Sequence, residues 1–165
     1  MASKAVSNTG PIMHLAEIDL IKVLNVFKEV YMPPEVKNEL KRSNIKQDII
    51  KKIKVISLKT KFKDIAEILV NKFSLDLGEA QAISLALQEK VDYFLTDDLD
   101  ARTVANLHSV ESHGTVGIIL RAFREKIINK QTAIKKVNEI YNVSSLFITK
   151  DLINQIISSI NEFRR

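Results

Sequence analysis

Short apolar strands alternate with helical segments along the first two thirds of the chain, and this order constrains the fold more than any other feature. Strands are predicted at Lys4–Ser7, Glu29–Met32, Val55–Leu58, Tyr93–Leu95 and Ser109–Glu111. Apolar residues at helical spacing separate them, as in Pro34–Arg42 and Phe62–Phe73. Strands that alternate with helices predict an α/β fold, in which helices cover both faces of a parallel sheet.

The remaining helical segments complete this order. They are predicted at Pro11–Ala16, Leu20–Phe27, Ala80–Leu87, around Val104 and Leu107, and from about Thr115 to the end. Asp76 and Glu79 have the spacing of a capping box in front of the Ala80–Leu87 helix. The last helix is expected to begin near Thr149, with a wide apolar stripe that belongs either to the core or to a partner interface: Leu152, Ile153, Ile156, Ile157 and Ile160. We expect one domain over residues 1–165, with the last ~40 residues helical.

The composition excludes several classes of site. The chain has no cysteine, which rules out disulfides, thiolate metal sites and a thiol nucleophile. No apolar run approaches the roughly 20 residues of a membrane span, and the first ten residues lack the layout of a signal peptide. We therefore expect a cytoplasmic protein. The net charge of +5 allows a polyanionic partner, although a solvated basic surface explains it equally well.

Acidic and amide side chains follow the ends of the predicted strands, where open α/β sheets bind their ligands. Asn8 follows the first strand, Glu39 lies on the helix after the second, and Glu79 opens the helix before the central strand. Directly after that central strand come Asp97, Asp98 and Asp100. Each also has an ordinary interpretation, because Glu79 can cap its helix, Glu39 can be solvated, and the aspartates can form a turn.

If these carboxylates converge, they repel one another and need a cation to stay ionised together. Ligands that offer only oxygen favour Mg²⁺ or Mn²⁺ over zinc. Such an ion can activate water and clamp the oxygens of an in-line attack on a phosphodiester. The three histidines, His14, His108 and His113, share no metal-site spacing and are expected at the surface or on helix flanks. Lys41 and Arg42 could meet phosphates, or form a solvated helix end.

Five segments, in order, resemble the motifs of PIN-domain proteins, which include the VapC toxins. They are Val6–Ile12, Met32–Leu40, Leu75–Ile83, Phe94–Arg102 and Gly114–Leu120. The resemblance implies a three-layer α/β/α sandwich, a divalent metal (Mg²⁺ or Mn²⁺) and ribonuclease activity on RNA. It also implies frequent homodimers and pairing with a small antitoxin protein.

The resemblance also suggests roles for individual residues. Catalysis is expected from Glu39, Glu79 and Asp98; metal binding from these three with Asn8, Asp97 and Asp100; and substrate binding from Thr9, Thr96 and Arg102. One position departs from the pattern, because Asn8 stands where active PIN nucleases carry an acid. An amide ligates a cation without charge, so a catalytically weakened PIN-like module that binds RNA or protein is the alternative. A third hypothesis is an assembly subunit that uses the last helix.

Overall fold

The computed structural model describes residues 3–164 and contains a five-stranded sheet whose pairings are all parallel. The strands are β1 (Lys4–Ser7), β2 (Glu29–Met32), β3 (Lys54–Val55), β4 (Tyr93–Leu95) and β5 (Glu111–His113), in the order β3-β2-β1-β4-β5. The chain therefore adds β2 and β3 on one side of β1 and then returns to add β4 and β5 on the other side. The predicted parallel α/β architecture is confirmed.

Helices connect and cover the strands. They are α1 (Thr9–Glu17), a 3₁₀ helix (Ile21–Val26), α2 (Pro34–Arg42), α3 (Gln47–Lys51), α4 (Thr60–Phe73), α5 (Leu77–Glu89), α6 (Leu99–Leu107), α7 (Thr115–Arg124), α8 (Lys130–Asn142) and α9 (Lys150–Glu162). On the two central strands, Ala5, Val6, Phe94 and Leu95 are wholly buried. Since neighbouring side chains on a strand point to opposite faces, helices must cover both faces of the sheet.

The register aligns the carboxyl ends of the three strands β1, β4 and β5. Ser7 pairs with Leu95, and Leu95 pairs with His113. Just beyond the strands, the Asn8 amide donates to the Leu95 carbonyl at 2.9 Å, and the Thr96 amide donates to the His113 carbonyl at 2.9 Å. The residues that follow these strands therefore meet at one edge, on either side of the reversal between β1 and β4.

Three predicted elements differ from the structure. The last strand begins at Glu111 instead of Ser109, because Ser109 adopts a left-handed conformation (φ 61°) that ends α6. The third strand is Lys54–Val55, since the chain leaves the sheet after the Ile56 amide bonds to Met32. The predicted helix Leu20–Phe27 is the shorter 3₁₀ helix, and α3 was not predicted.

The apolar stripe of the last helix belongs to the core. Ile153, Ile156 and Ile160 are buried, whereas Leu152 remains 45% exposed. The Thr149 hydroxyl caps α9 by accepting from the Leu152 amide, as the predicted start of this helix requires. No helix within residues 3–164 has the length and apolarity that crossing a membrane requires.

Candidate acidic site at the carboxyl edge of the sheet

Glu39 lies where three elements meet. Its carboxylate accepts a hydrogen bond from the hydroxyl of Thr9, the first residue of α1. It also lies against Gly78 in the first turn of α5, so that a methyl carbon placed on Gly78 would be 2.9 Å from the Glu39 carboxyl carbon. The space that a side chain at position 78 would need is therefore occupied by Glu39. Thr9, predicted to contact substrate, here positions Glu39.

Glu79 caps α5 and belongs to an electrostatically crowded group. The predicted capping box is present: the Glu79 amide donates to Asp76 Oδ1 at 2.7 Å, and the Asp76 amide donates to Glu79 Oε2 at 3.1 Å. Burial, followed by the negative charges of Asp76, Asp98 and Glu39, raises the pKa of Glu79 to about 7. Burial likewise raises the pKa of Glu39, with charges on Asp76 and Glu35 adding to it. These carboxylates are thus close enough to resist ionising together.

Asp98 is the N-cap of α6. Its Oδ1 accepts from the Ala101 amide at 2.8 Å, and its own amide donates to the Thr96 hydroxyl at 3.2 Å. Thr96 is wholly buried, so the prediction that it contacts substrate does not fit; its side chain fixes the turn that presents Asp98. Asp98 itself is exposed at the edge.

Asp97 points to the other side of this turn and binds protein groups. Its carboxylate accepts hydrogen bonds from the Thr115 amide at 2.7 Å and the Thr115 hydroxyl at 2.5 Å, and it pairs with His14 Nδ1 at 2.7 Å. Burial acts to raise the pKa of Asp97, but the bonds from His14 and Thr115 outweigh it and hold the pKa below its usual value. Asp97 therefore ties β4 to α1 and α7.

His14 was predicted at the surface or on a helix flank; it lies on α1, but its ring is buried against Asp97 and not at the surface. The sequence offered no local signal for the contact, since 83 positions separate the two residues. Only the pairing of β1 with β4 brings them together. Thr115 was missed for the same reason.

Arg102 and Asp100 do not pair as neighbours on α6. Arg102 donates through Nη2 to the Thr96 carbonyl at 3.2 Å, while its buried Nε has no hydrogen-bond partner within residues 3–164. It packs against Gly114, where a methyl carbon would lie 2.6 Å from Nη2 and 2.9 Å from Asp97 Oδ1.

Asp100 is exposed and is not among the charges that raise the pKa of Glu79. Asn8 is buried at the same edge and forms the N-cap of α1 without a side-chain cap bond.

The donor set fits a hard divalent cation held partly by water. In the part of the chain that the structure describes, no three His, Asp or Glu side chains cluster as ligands for one ion. Mg²⁺, however, usually keeps several waters and takes only one or two carboxylates. The contacts described above use one oxygen each of Glu79 and Asp98, which leaves Glu79 Oε1 and Asp98 Oδ2 without a hydrogen bond from residues 3–164. Burial first, and then the charges of Asp76, Asp98 and Glu39, raise the pKa of Glu79, and a bound cation would favour its ionised form again.

An open parallel sheet with carboxylate and amide side chains at its reversal point is typical of α/β proteins that bind a ligand at the carboxyl edge. Within that class, the chain matches the family model DUF3368, a PIN domain, over residues 4–162, and it belongs to this family. This confirms the resemblance of the five sequence motifs. A search of curated proteins gave no match. Membership of the PIN family indicates a nuclease-type function that acts on nucleic acid.

Proposed function

We propose that this protein is a Mg²⁺- or Mn²⁺-dependent endoribonuclease that hydrolyses RNA phosphodiester bonds at the acidic site. The observation that supports the proposal is the electrostatic interaction of Glu79 with Glu39 and Asp98, which come from distant parts of the chain and, after burial, help to raise the pKa of Glu79 to about 7. Glu39 also packs against Gly78, the neighbour of Glu79. Carboxylates that crowd at a ligand-binding edge destabilise the empty site, and a cation reverses this effect. PIN-family membership supports the same chemistry.

The residues divide the work according to their contacts. Glu79 Oε1 and Asp98 Oδ2 are the oxygens that would hold the ion, and the Asn8 amide oxygen would add an uncharged ligand. A bound divalent ion supplies Lewis-acid stabilisation of the phosphate and lowers the pKa of water. Glu39 accepts a proton from the attacking water, because its pKa is raised and its position is fixed by Thr9 and Gly78. Arg102 is half-buried with Nη2 donating to the Thr96 carbonyl, and its guanidinium supplies positive charge for substrate phosphate at this edge.

Labelled RNA tests this function when it is incubated with the purified protein and Mn²⁺, with and without chelator. We expect cleavage that chelator abolishes and that Asp98→Asn and Glu79→Gln each reduce by a factor of about 100 or more. Asp151→Asn, an exposed acid in the first turn of α9, is the matched control and retains activity. Cleavage that survives chelator or the Asp98→Asn change would refute the proposal.

We further propose that the nuclease is the toxin of a toxin–antitoxin pair, a single-domain homodimer of the cytoplasm, related to the VapC toxins. A groove of about 600 Å³, which Asp97 helps to line, suits a small antitoxin because most of its other large side chains are apolar. Phe147 is 92% exposed there and Leu99 is 71% exposed. Expression alone should arrest growth, and Asp98→Asn or co-expression of a neighbouring short reading frame should restore it. Growth that is unaffected by the active protein would exclude the toxin role.

A weakened PIN-like module that binds RNA or protein without cutting is the second candidate, and Asn8 is the observation that favours it. With an uncharged amide at position 8, the site has one carboxylate fewer than the sites of active PIN nucleases. The Asn8→Asp variant separates the two candidates by metal titration and RNase assay. A decayed site should gain both Mn²⁺ affinity and cleavage, whereas an active site should already cut RNA before the change.

A further inference from the structure

Positive charge is concentrated in one segment of the chain. Residues 41–63 carry nine basic side chains and a single acid, Asp48, which gives this segment a net charge of +8. Since the whole chain carries +5, the remaining residues sum to −3. All nine basic residues are exposed: Lys41, Arg42, Lys46, Lys51, Lys52, Lys54, Lys59, Lys61 and Lys63. We call this surface the basic flank.

The basic flank covers one lateral edge of the sheet. It runs from the end of α2 through α3 and β3 to the start of α4, and β3 is the terminal strand of the sheet. Two of its nine cations form ion pairs within residues 3–164, Lys51 with Asp48 and Arg42 with Glu35, each at 3.6 Å and with the basic side chain largely in solvent. Such exposed pairs contribute little, so nearly all of this charge is available to a ligand.

A groove continues the basic flank onto residues outside 41–63. This groove has a volume of about 530 Å³, and Lys52 and Lys54 of the flank line it together with Lys22 and Lys28 from the neighbourhood of the 3₁₀ helix. Its single acidic lining residue is Glu29, which accepts a hydrogen bond from the Tyr31 hydroxyl. Four lysines against one carboxylate make this groove electropositive.

We propose that the basic flank and its groove bind the phosphate backbone of RNA outside the acidic site. This inference rests on the proposed function, in which RNA is the substrate. Away from the flank the chain is net negative, and the carboxylates of the site repel phosphate, so the flank supplies the long-range attraction. Lys41 and Arg42 lie two and three residues after Glu39 on α2. Positive charge therefore lies within one helical turn of Glu39.

The chemistry of the flank favours RNA over a membrane or an apolar protein surface. No large hydrophobic side chain is exposed between residues 41 and 63, whereas membrane-binding helices interleave basic and apolar residues. Lysine ammonium groups contact phosphates as point charges and do not read bases. Binding through the flank should therefore depend on salt and show no sequence preference.

Anisotropy titrations of the full protein with a labelled single-stranded RNA, in EDTA and over a series of KCl concentrations, test the proposal. The flank variant is the triple change Lys51→Gln, Lys52→Gln and Lys54→Gln. The control variant removes the same charge from exposed positions elsewhere: Lys72→Gln, Lys90→Gln and Lys126→Gln. Each phosphate contact to single strands contributes about 0.7 to the slope of log K against log salt, so the flank variant should lose about 2 from the slope and about 100-fold in affinity near 0.1 M salt.

Several results would overturn the proposal: no RNA binding by the wild-type protein, equal slopes for the flank and control variants, or equally tight binding of polyglutamate, which would indicate an acidic protein partner. Single Lys→Gln variants at the same positions keep the test valid if the triple variant melts early. EDTA prevents cleavage during the titration, so cleavage is measured separately with Mn²⁺. Flank-dependent binding in EDTA together with no cleavage in Mn²⁺ would refute the nuclease proposal alone. Cleavage together with flank-independent binding would refute the flank alone.

Discussion

The Gly78→Ala variant tests whether Glu39 must occupy its observed position. The added methyl carbon would lie 2.9 Å from the Glu39 carboxyl carbon and 3.1 Å from Oε2. Since carbon atoms pack at about 3.5–4.0 Å, the carboxyl group must move by about 1 Å. The backbone at Gly78 does not have a positive φ, so alanine itself is allowed there and improves helix propensity by roughly 0.5–1 kcal/mol. The Glu39 carboxylate is at the end of a flexible side chain, so it can move with little loss of stability.

The expected result is therefore a nearly unchanged stability with a large loss of activity. A displacement of about 1 Å in a catalytic group can cost about 100-fold in rate, so kcat/KM for RNA cleavage should fall by about that factor. Gly117→Ala is the matched control, because its methyl carbon meets His113 Nδ1 at an ordinary 3.5 Å. Cleavage kinetics and urea denaturation measure both effects. Activity within threefold of wild type in Gly78→Ala would show that the position of Glu39 is irrelevant to the reaction.

Two further predictions concern Asp97, which lies beside the proposed site, and Glu79, which belongs to it. Asp97→Ala removes three hydrogen bonds from a side chain that is 12% exposed, and it should lower the free energy of unfolding by about 3 kcal/mol in urea denaturation. Asp100→Ala, at an exposed position, should lower the free energy of unfolding by less than about 0.5 kcal/mol. Equal losses in the two variants would contradict the structural role of Asp97. Protonated Glu79 stabilises the fold below its unfolded pKa, and this stability is lost as pH rises through about 7. In EDTA, wild-type melting temperature should fall over that range relative to Glu79→Gln; parallel profiles would contradict the raised pKa.

Most of the fold could be predicted because its signals are local. Lys4–Ser7, Glu29–Met32, Tyr93–Leu95 and the helix Pro34–Arg42 have the predicted limits, since each carries its own apolar run or its own proline stop. The errors fall where tertiary context decides. β5 begins two residues late because Ser109 takes a left-handed conformation, and nothing in the sequence near Ser109 specifies that choice.

The site was only partly predictable, for a related reason. The sequence places Glu79 and Asp98 at the carboxyl edge, because a capping residue and a strand end are local features. The resemblance to PIN domains favoured Asp98 over the adjacent Asp97 for catalysis, but no local signal shows that His14 and Thr115, which belong to other elements, hold Asp97. Asp97 binds His14 and Thr115, whereas Asp98 is exposed at the edge and uses one oxygen to cap α6.

In the proposed site, Glu79 and Asp98 each use one carboxylate oxygen to cap a helix and leave the other oxygen for a ligand. Glu79 gives one oxygen to the Asp76 amide, and Asp98 gives one to the Ala101 amide. Each bond fixes a carboxylate plane before any ligand arrives, which reduces the ordering cost of binding. Burial and, after it, the neighbouring negative charges raise the pKa of Glu79 and so destabilise its ionised form, and a divalent cation that binds there should stabilise the fold by mass action. Mg²⁺ or Mn²⁺ should therefore raise the melting temperature of the wild type at pH 8 more than that of Glu79→Gln, and equal shifts would place the ion elsewhere.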